Sequence, residues 1–413
     1  MPATLAQKLV ARAAGRAEVT PGEIVTCKVD LAMVHDSSGA RRLKPMLERL
    51  RAKVWDPAKV VVITDHYVPE YDDDSRKILR ITRDWVREVG IDNFYDAQGI
   101  CHVVLPERGH LKPGMFAVGA DSHSPTGGAF AAYMFGVGAT EMLGVMVTGE
   151  IWLKVPQTIA MQFDGAFAPG VSAKDVMLFL IGRFGMDGGQ YQAVEYRGAA
   201  IRSLSMQERM TLCNMTAELG GQTGLIASDD VTRDYLKADI ERLASDADAP
   251  TLADHRFTAG DLPPQVAAPH SPGNTRPVGE FAAKKIDLAY IGACTGAKLA
   301  DLRMAAQILK DRKSKVKLIV APASLRDQQE AEREGTLKVL LDAGAELLAN
   351  SCGMCAGYGQ HQLGENTVAI STTARNFKGR MGAASAQVYL ASPYTVAASA
   401  VAGRITDPRE MLQ

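Results

Sequence analysis

The sequence has no apolar run of the roughly 18 residues that a membrane-spanning helix needs, so we do not expect a membrane protein. It has no excess of positive charge either, because 46 Lys and Arg balance 47 Asp and Glu. General binding of nucleic acid is therefore not expected. Cysteine is scarce, with six residues in 413, which argues against a disulfide framework and for a reducing, cytoplasmic environment.

The length of the chain exceeds that of a single hydrophobic core, so we predict more than one domain. The first 18 residues are basic, as in an organelle transit peptide, but Leu5, Leu9 and Val10 fall on one face of a helix. This spacing favours an ordinary amphipathic first helix. No secretory signal is expected.

Strand and helix periods alternate along the chain, which predicts an α/β fold of mostly parallel sheets with helices on both faces. We divide the chain into three α/β domains, residues 1–155, 156–270 and 271–413. In the first, residues 142–155 are predicted to be helical, with Trp152 packed. The second is expected to end in a linker, because residues 244–279 are rich in Ala, Asp and Pro.

Polar and sulfur-containing side chains follow several of the predicted strands. The run VVVIT, residues 60–64, is typical of a strand buried on both faces, and it ends at an Asp-His pair. Charged groups at such a place need hydrogen bonds, a ligand or a solvated cleft. Because ligands bind beyond the carboxyl ends of parallel strands, one shared cleft between domains is the economical explanation. The residues in these positions are Asp65, His66, Asp121, Ser122, His123, Cys294, Cys352, Cys355, Arg375 and Arg380.

Three of the cysteines lie in turns that follow predicted strands. The segment ANSCGMCAGYG, residues 349–359, holds Cys352 and Cys355, and by itself this spacing fits a redox pair, half of a zinc site or part of an iron-sulfur site. Cys294 makes a third thiol. A structural zinc ion needs four ligands, and His361 offers a fourth. A 4Fe-4S cluster on three thiolates would instead keep one iron open for Lewis-acid chemistry. The remaining thiols are expected to be buried: Cys27, Cys101 and Cys213.

Motifs along nearly the whole chain resemble the aconitase superfamily. The closest resemblance is to the large subunit of 3-isopropylmalate dehydratase and to related hydro-lyases that act on 2-methylmalate, 2,3-dimethylmalate or homoaconitate. The motifs occur in the family's order. They are VDLAMVHDSSG, VVVITDHYVP, GICHVVLPERG, GADSHSPTGGAFAAYMFGVGATE, VEYRG, IGACTG, CGMCAG and STTARNFKGRMG.

This resemblance implies a fold, a cofactor and a set of site residues. The fold would be aconitase-like, with three α/β/α domains around a central cleft. Cys294, Cys352 and Cys355 would hold a 4Fe-4S cluster whose open iron binds the hydroxyl and a carboxylate of a hydroxy dicarboxylate. Residues implied around the leaving hydroxyl and its protons are Asp65, His66, His102, Asp121, His123 and Glu195. Residues implied in substrate binding are His35, Ser122, Arg375 and Arg380.

Two departures from the family pattern are informative. The family usually has Asn after the Cys-Thr of the first ligand, where this chain has Gly296, which suggests a substrate other than isopropylmalate. The mobile fourth domain of single-chain aconitases, with its Ser-Ser-Arg segment, has no counterpart here. We therefore expect a separate small subunit to complete the site.

The predicted activity is the reversible dehydration of a hydroxy dicarboxylate by the cluster-bearing large subunit. A zinc-binding or redox protein without iron is the main alternative. RNA binding, which iron-free aconitase relatives perform, receives little support from the near-neutral charge.

Overall fold

A computed structural model describes residues 1–412. Its strands form three large sheets and one two-stranded ribbon. The predicted α/β fold with mostly parallel sheets is confirmed. Within the described residues, none of the helices has both the length and the apolar character needed to cross a membrane.

The first sheet is entirely parallel, in the order β4-β3-β2-β5-β6. Every residue of the VVVIT strand in it is buried, as the continuous β-branched run predicts. The strands are β2 (Leu31–His35), β3 (Val60–Thr64), β4 (Phe94–Asp96), β5 (Phe116–Gly119) and β6 (Tyr133–Gly136).

The second sheet is also parallel, in the order β10-β9-β8-β11. The third sheet has five parallel strands with an antiparallel pair at one edge, in the order β13-β12-β18-β17-β14-β15-β16. The strands of the second sheet are β8 (Thr158–Asp164), β9 (Ala193–Arg197), β10 (Thr223–Leu225) and β11 (Ala253–Thr258). Those of the third are β12 (Gln265–Ala267), β13 (Thr275–Pro277), β14 (Leu288–Ile291), β15 (Lys317–Val320), β16 (Ala345–Leu347), β17 (Val368–Ser371) and β18 (Gln387–Ala391).

Helices cover the faces of the sheets and join successive strands. The first helix begins with a capping box at Thr4 and buries Leu5, Leu9 and Val10, which confirms the amphipathic helix. The helices are α1 (Leu5–Ala13), α2 (Ala40–Leu50), α3 (Asp73–Val89), α4 (Cys101–Glu107), α5 (Ala139–Thr148), α6 (Ala173–Phe184), α7 (Ala199–Arg202), α8 (Met206–Met215), α9 (Asp230–Leu236), α10 (Leu299–Leu309), α11 (Leu325–Arg333), α12 (Thr336–Asp342) and α13 (Pro393–Ala402).

Two expectations about secondary structure are wrong. The linker predicted for residues 244–279 contains β11, which pairs with β8, and β12, which is buried beside β18. β11 is an edge strand with alternating burial, and its Asp254 and Arg256 point outward. These outward polar residues give the segment a composition like that of a linker. The third sheet therefore begins before the predicted boundary at residue 270.

The helix predicted for residues 142–155 ends at Thr148, where Gly149 adopts a left-handed conformation. The chain then enters β7 (Glu150–Lys154), which pairs antiparallel with β1 (Ile24–Lys28). On this ribbon Trp152 is 67% exposed rather than packed, because it lies on the solvent face of a two-stranded sheet.

The first and third sheets approach each other through their strand-end turns. The amide of Cys352 donates to the carbonyl of Asp65 at 2.8 Å, and the amide of Ile100 donates to the carbonyl of Ala323 at 2.8 Å. Polar groups that follow strands of both sheets are therefore brought to one place.

Candidate active site

The strand-end residues of the first and third sheets line a common cavity between the sheets. The predicted residues that line its inner part are His66, His102, Asp121, His123, Cys294, Cys352, Cys355, Arg375 and Arg380. It continues into an outer cleft of about 380 Å³, to which His35 and Ser122 contribute. A separate cavity of about 940 Å³ lies beside Trp152 and contains none of the predicted site residues.

One cluster is built around Asp65 and the neighbouring Asp36, both fully buried. Oδ1 of Asp65 lies 2.6 Å from Nδ1 of His66, and Oδ2 of Asp65 accepts a hydrogen bond from the amide of Cys101 at 2.8 Å. Asp36 accepts the amide of Tyr67 at 2.8 Å. Burial opposes ionisation of Asp65, but His66 outweighs it and lowers the pKa of this carboxyl to about 2. These carboxylates therefore fix the position of His66.

The ring of His35 stacks on that of His66, with centroids 4.1 Å apart. Burial opposes protonation of His35, but the carboxylates of Asp121 and Asp36 outweigh it and raise the pKa of the imidazole to about 10. His35 is thus a buried cation at the side of the cleft. In the sequence, Asp36 is the only opposite charge next to His35.

A second cluster is built around Asp121. Its Oδ1 lies 2.7 Å from Nε2 of His102 and accepts the amide of His123 at 2.8 Å. Nε2 of His35 lies 3.6 Å from Oδ2. Burial alone would raise the pKa of Asp121, but these three imidazoles outweigh it and hold the pKa well below its ordinary value. Asp121 is therefore a carboxylate shared among histidines.

The second cluster extends to Glu218, which sequence reasoning missed. Glu218 Oε1 lies 3.1 Å from Nε2 of His123 and accepts Nε of Arg375 at 2.6 Å. Arg375 also donates to Oγ of Ser122 at 2.9 Å. Burial opposes ionisation of Glu218, but His123 and Arg375 lower its pKa below the ordinary value. Glu218 is a single charge in the otherwise neutral turn after α8. This isolated charge is the signal in the sequence that could have identified Glu218.

Glu195, predicted at the site, does not lie among the residues that line either part of the cleft. Its carboxylate accepts Nε of Arg197 at 2.8 Å and Oγ of Ser245 at 2.6 Å. It belongs to a partly buried network with Arg197 of its own strand and Ser245, and neither partner lines the cleft. The other predicted residues are brought together, with Asp65 directly behind His66.

The three predicted cysteine ligands lie in the turns after β14 and β16. Gly357 has φ +77, a left-handed conformation that closes the turn carrying Cys352 and Cys355. The Cys352 thiol hydrogen-bonds to Cys355 and, despite burial, lowers the pKa of Cys355 to about 5, with a further contribution from Arg380. The side-chain amide of Asn214 donates to Sγ of Cys294 at 3.3 Å. Burial raises the pKa of Cys294 to about 12, and the hydrogen bond with Cys355 raises the pKa of Cys352, so among the three thiols only Cys355 favours the thiolate.

Gly296, where the family usually has Asn, packs against Thr372. A Cβ atom at Gly296 would lie 2.1 Å from Cβ of Thr372, so an Asn side chain does not fit here. The departure in sequence is therefore matched by a neighbouring residue that occupies the space.

The surroundings of the cysteines bear on the zinc site that the sequence left open. A structural zinc ion needs four ligands around it. Among residues 1–412, groups of three or more metal-binding side chains with ligand atoms within 4.8 Å contain histidine and aspartate but no cysteine. His361 is paired with Glu346 at 3.6 Å. The three thiols and His361 therefore do not form a preassembled four-ligand zinc site.

Comparisons with known proteins agree with this site. The family model described as "Aconitase family (aconitate hydratase)" matches residues 7–285 and 276–403. The "Probable methanogen homoaconitase large subunit" of Methanosarcina mazei is 46% identical over 93% of this chain and 99% of that protein. The "3-isopropylmalate dehydratase large subunit 1" of Methanopyrus kandleri is 42% identical over 100% of both chains. The chain belongs to the aconitase family, which confirms the resemblance of the motifs, and it is a hydro-lyase.

A solved structure is also similar to this chain. It is the holo form of Thermococcus kodakaraensis aconitase X, which covers 85% of this chain and 84% of its own, with 14% identity and a TM-score of 0.49. A likeness of this strength carries no inference about the site.

Proposed function

We propose that this chain is the cluster-bearing large subunit of a hydro-lyase that reversibly dehydrates a hydroxy dicarboxylate. The observation that carries the proposal is the convergence of three thiols, two histidine–carboxylate clusters and two arginines on one cavity. The full-length similarity to proteins named 3-isopropylmalate dehydratase and homoaconitase large subunit supports it. We propose a cytoplasmic location with it.

Cys294, Cys352 and Cys355 would hold a 4Fe-4S cluster. When bound, such a cluster supplies a Lewis acid that polarises the bond between carbon and the leaving hydroxyl. The thiolate-favouring contacts of Asn214 and Arg380 fit this cofactor.

The two clusters would divide the work of moving protons. Dehydration needs a proton taken from carbon and a proton given to the departing oxygen. In the second cluster, Asp121 and Glu218 hold the imidazoles of His102 and His123 at fixed positions, so protons at their ring nitrogens can be exchanged with the substrate. In the first, Asp65 orients His66 toward the same cavity.

The arginines would bind the carboxylates of the substrate. Nε of Arg380 is buried and has no hydrogen-bond partner among residues 1–412. A planar guanidinium with free donors is suited to bidentate binding of a carboxylate. The side chain of Arg375 lines the cleft, where hydrogen bonds to Glu218 and Ser122 fix its position.

A separate small subunit would complete the site and read the group beyond the shared malate core. The test is anaerobic co-expression with this subunit, followed by a panel of three substituted malates, 3-isopropylmalate, 2-methylmalate and 2,3-dimethylmalate, and of homoaconitate, which is already unsaturated. We expect the absorbance of an unsaturated product to appear with one of the malates, or the absorbance of homoaconitate to fall as it is hydrated. Turnover by the large subunit alone would contradict the need for a partner.

The cluster is tested by Cys352→Ser, which we expect to abolish the intact cluster because a serine hydroxyl is a poor ligand for iron. Iron and sulfide per chain and the visible absorbance are measured after anaerobic purification. Cys213→Ser is the matched control, since Cys213 is a buried thiol outside the cavity. Full iron content in Cys352→Ser, or a colourless wild-type protein with one zinc ion, would refute the assignment.

A further inference from the structure

A lysine is buried directly behind the cysteine-bearing turns. Lys174, in α6, is 1% exposed, and its Nζ donates to the carbonyl of Thr373 at 2.6 Å and to that of Thr372 at 3.0 Å. A third contact reaches Oγ1 of Thr295 at 3.3 Å. All three acceptors are neutral, and within residues 1–412 no carboxylate forms a salt bridge with Lys174.

A second lysine at the same turn differs in this respect. Lys298 is also fully buried, but its Nζ lies 2.7 Å from Oδ2 of Asp301 and donates to the carbonyl of Cys294 at 2.8 Å. Lys298 and Asp301 thus form a neutral pair within the protein. Lys174 has hydrogen bonds but no opposite charge.

A buried cation without a counter-charge is costly to the folded state. In accord with this, burial lowers the pKa of Lys174 to about 8, while the thiols of Cys294 and Cys355 act in the opposite direction. Thr295, which Lys174 contacts, directly follows Cys294. Apart from Asp301, which Lys298 already pairs, the negative charge that acts on Lys174 is therefore that of the cysteine thiolates and whatever they bind.

We propose that Lys174 is a positioning residue for the cofactor: its ammonium is the counter-charge of the cysteine-bound cluster and ties the turn of Cys294 to the turn of Arg375. This inference rests on the cluster assigned under the proposed function. The charge favours the more negative, reduced state of the cluster, because nearby charge and hydrogen bonding set the reduction potential of such centres. The hydrogen bonds of Lys174 hold the turn after β14 and the turn after β17 at a fixed distance from α6.

The test compares Lys174→Gln, which keeps hydrogen-bond donors without charge, with Lys174→Met, which removes both. The midpoint potential of the cluster is measured in each holoprotein by anaerobic redox titration followed by electron paramagnetic resonance. We expect both variants to shift to more negative potential by similar amounts, and iron to be lost several-fold faster in air. Lys338→Gln, an exposed lysine paired with Asp342, is the control and should leave both measurements unchanged.

The thermal stability of the iron-free protein gives a second measurement. Without the cluster Lys174 lacks its counter-charge, so iron-free Lys174→Gln, which keeps hydrogen-bond donors, should be at least as stable as the iron-free wild type. A wild-type potential in Lys174→Gln, or much lower stability of this variant in the iron-free state, would overturn this inference while leaving the proposed function intact. Absence of a cluster from the wild type would instead overturn the proposed function, and this inference with it.

Discussion

Glu195 and Glu218 are two buried carboxylates of similar exposure, and each binds an arginine, yet only the partners of Glu218, Arg375 and His123, line the cleft. Glu195 binds Arg197, two residues along the same strand, and is completed by the hydroxyl of Ser245. Glu218 binds Arg375, 157 residues away on another sheet, and is completed by His123. Burial and an arginine partner therefore do not by themselves identify a carboxylate at the cleft. What separates the two residues is that the partners of Glu218 line the cleft and those of Glu195 do not.

The largest effect expected from this comparison is that of Glu218→Gln. The amide cannot stabilise a charged His123 or a charged Arg375, so we expect kcat to fall by about 10²–10³, within the range of acid–base contributions. Steady-state kinetics of the complete enzyme measure this. Glu195→Gln is the matched control and should change kcat by less than about twofold while lowering thermal stability. Equal losses in the two variants, at equal iron content, would remove the distinction.

Arg380→Lys extends the comparison to the arginines and should have an intermediate effect. We expect KM to rise by about tenfold with a smaller change in kcat, because an ammonium lacks the planar fork that binds a carboxylate. Arg197→Lys is the control, since Glu195 already occupies Arg197. If KM is unchanged in Arg380→Lys, this residue does not bind the substrate.

A third carboxylate, Glu107, has no arginine ion pair among the described residues and gives the smallest effect. It accepts Oγ of Ser324 at 2.7 Å where α4 meets the N-terminus of α11. Burial, together with the charge of Asp327, raises its pKa to about 8. The contrast with Glu218 is direct, because the pKa of Glu218 is lowered by its partners.

The sign of the pH dependence follows from this raised pKa. Between the ordinary pKa of Glu, about 4.3, and the folded value, the folded protein holds a proton that the unfolded chain has lost. Stability is therefore greatest at low pH with respect to this group and falls as pH rises toward 8. We expect Glu107→Gln to flatten the decline of the melting temperature between pH 5 and 8. An unchanged slope would show that Glu107 ionises normally.

The sequence allowed the strands, the Asp-His turns and the cysteine turns to be predicted because each depends on local pattern. A buried β-branched run such as residues 60–64 must be a strand, and a charged pair at its end is conspicuous. Glu218 lies in a turn after α8, without a preceding strand, and its partner comes from the third sheet. No local pattern specifies such a contact, and the family resemblance placed Glu195, in the motif VEYRG, at the site instead.

The same limit explains the errors in secondary structure. The predicted helix over residues 142–155, with Trp152 packed, is wrong because the strand that holds Trp152 pairs with residues far away at the start of the chain. β11 is an edge strand whose outward side chains are polar, and its partner β8 is distant in sequence. In both cases the secondary structure is determined by pairing with a strand that is distant in the sequence.

The hydrogen bond from the amide of Cys352 to the carbonyl of Asp65 sets the register of the thiols against the histidines with main-chain atoms alone. Side-chain replacements in either turn leave that register in place. A one-residue insertion or deletion between β3 and His66, or between β16 and Cys352, would shift it by the length of a residue. We therefore expect functional relatives to keep the lengths of these two turns even where their amino acids differ.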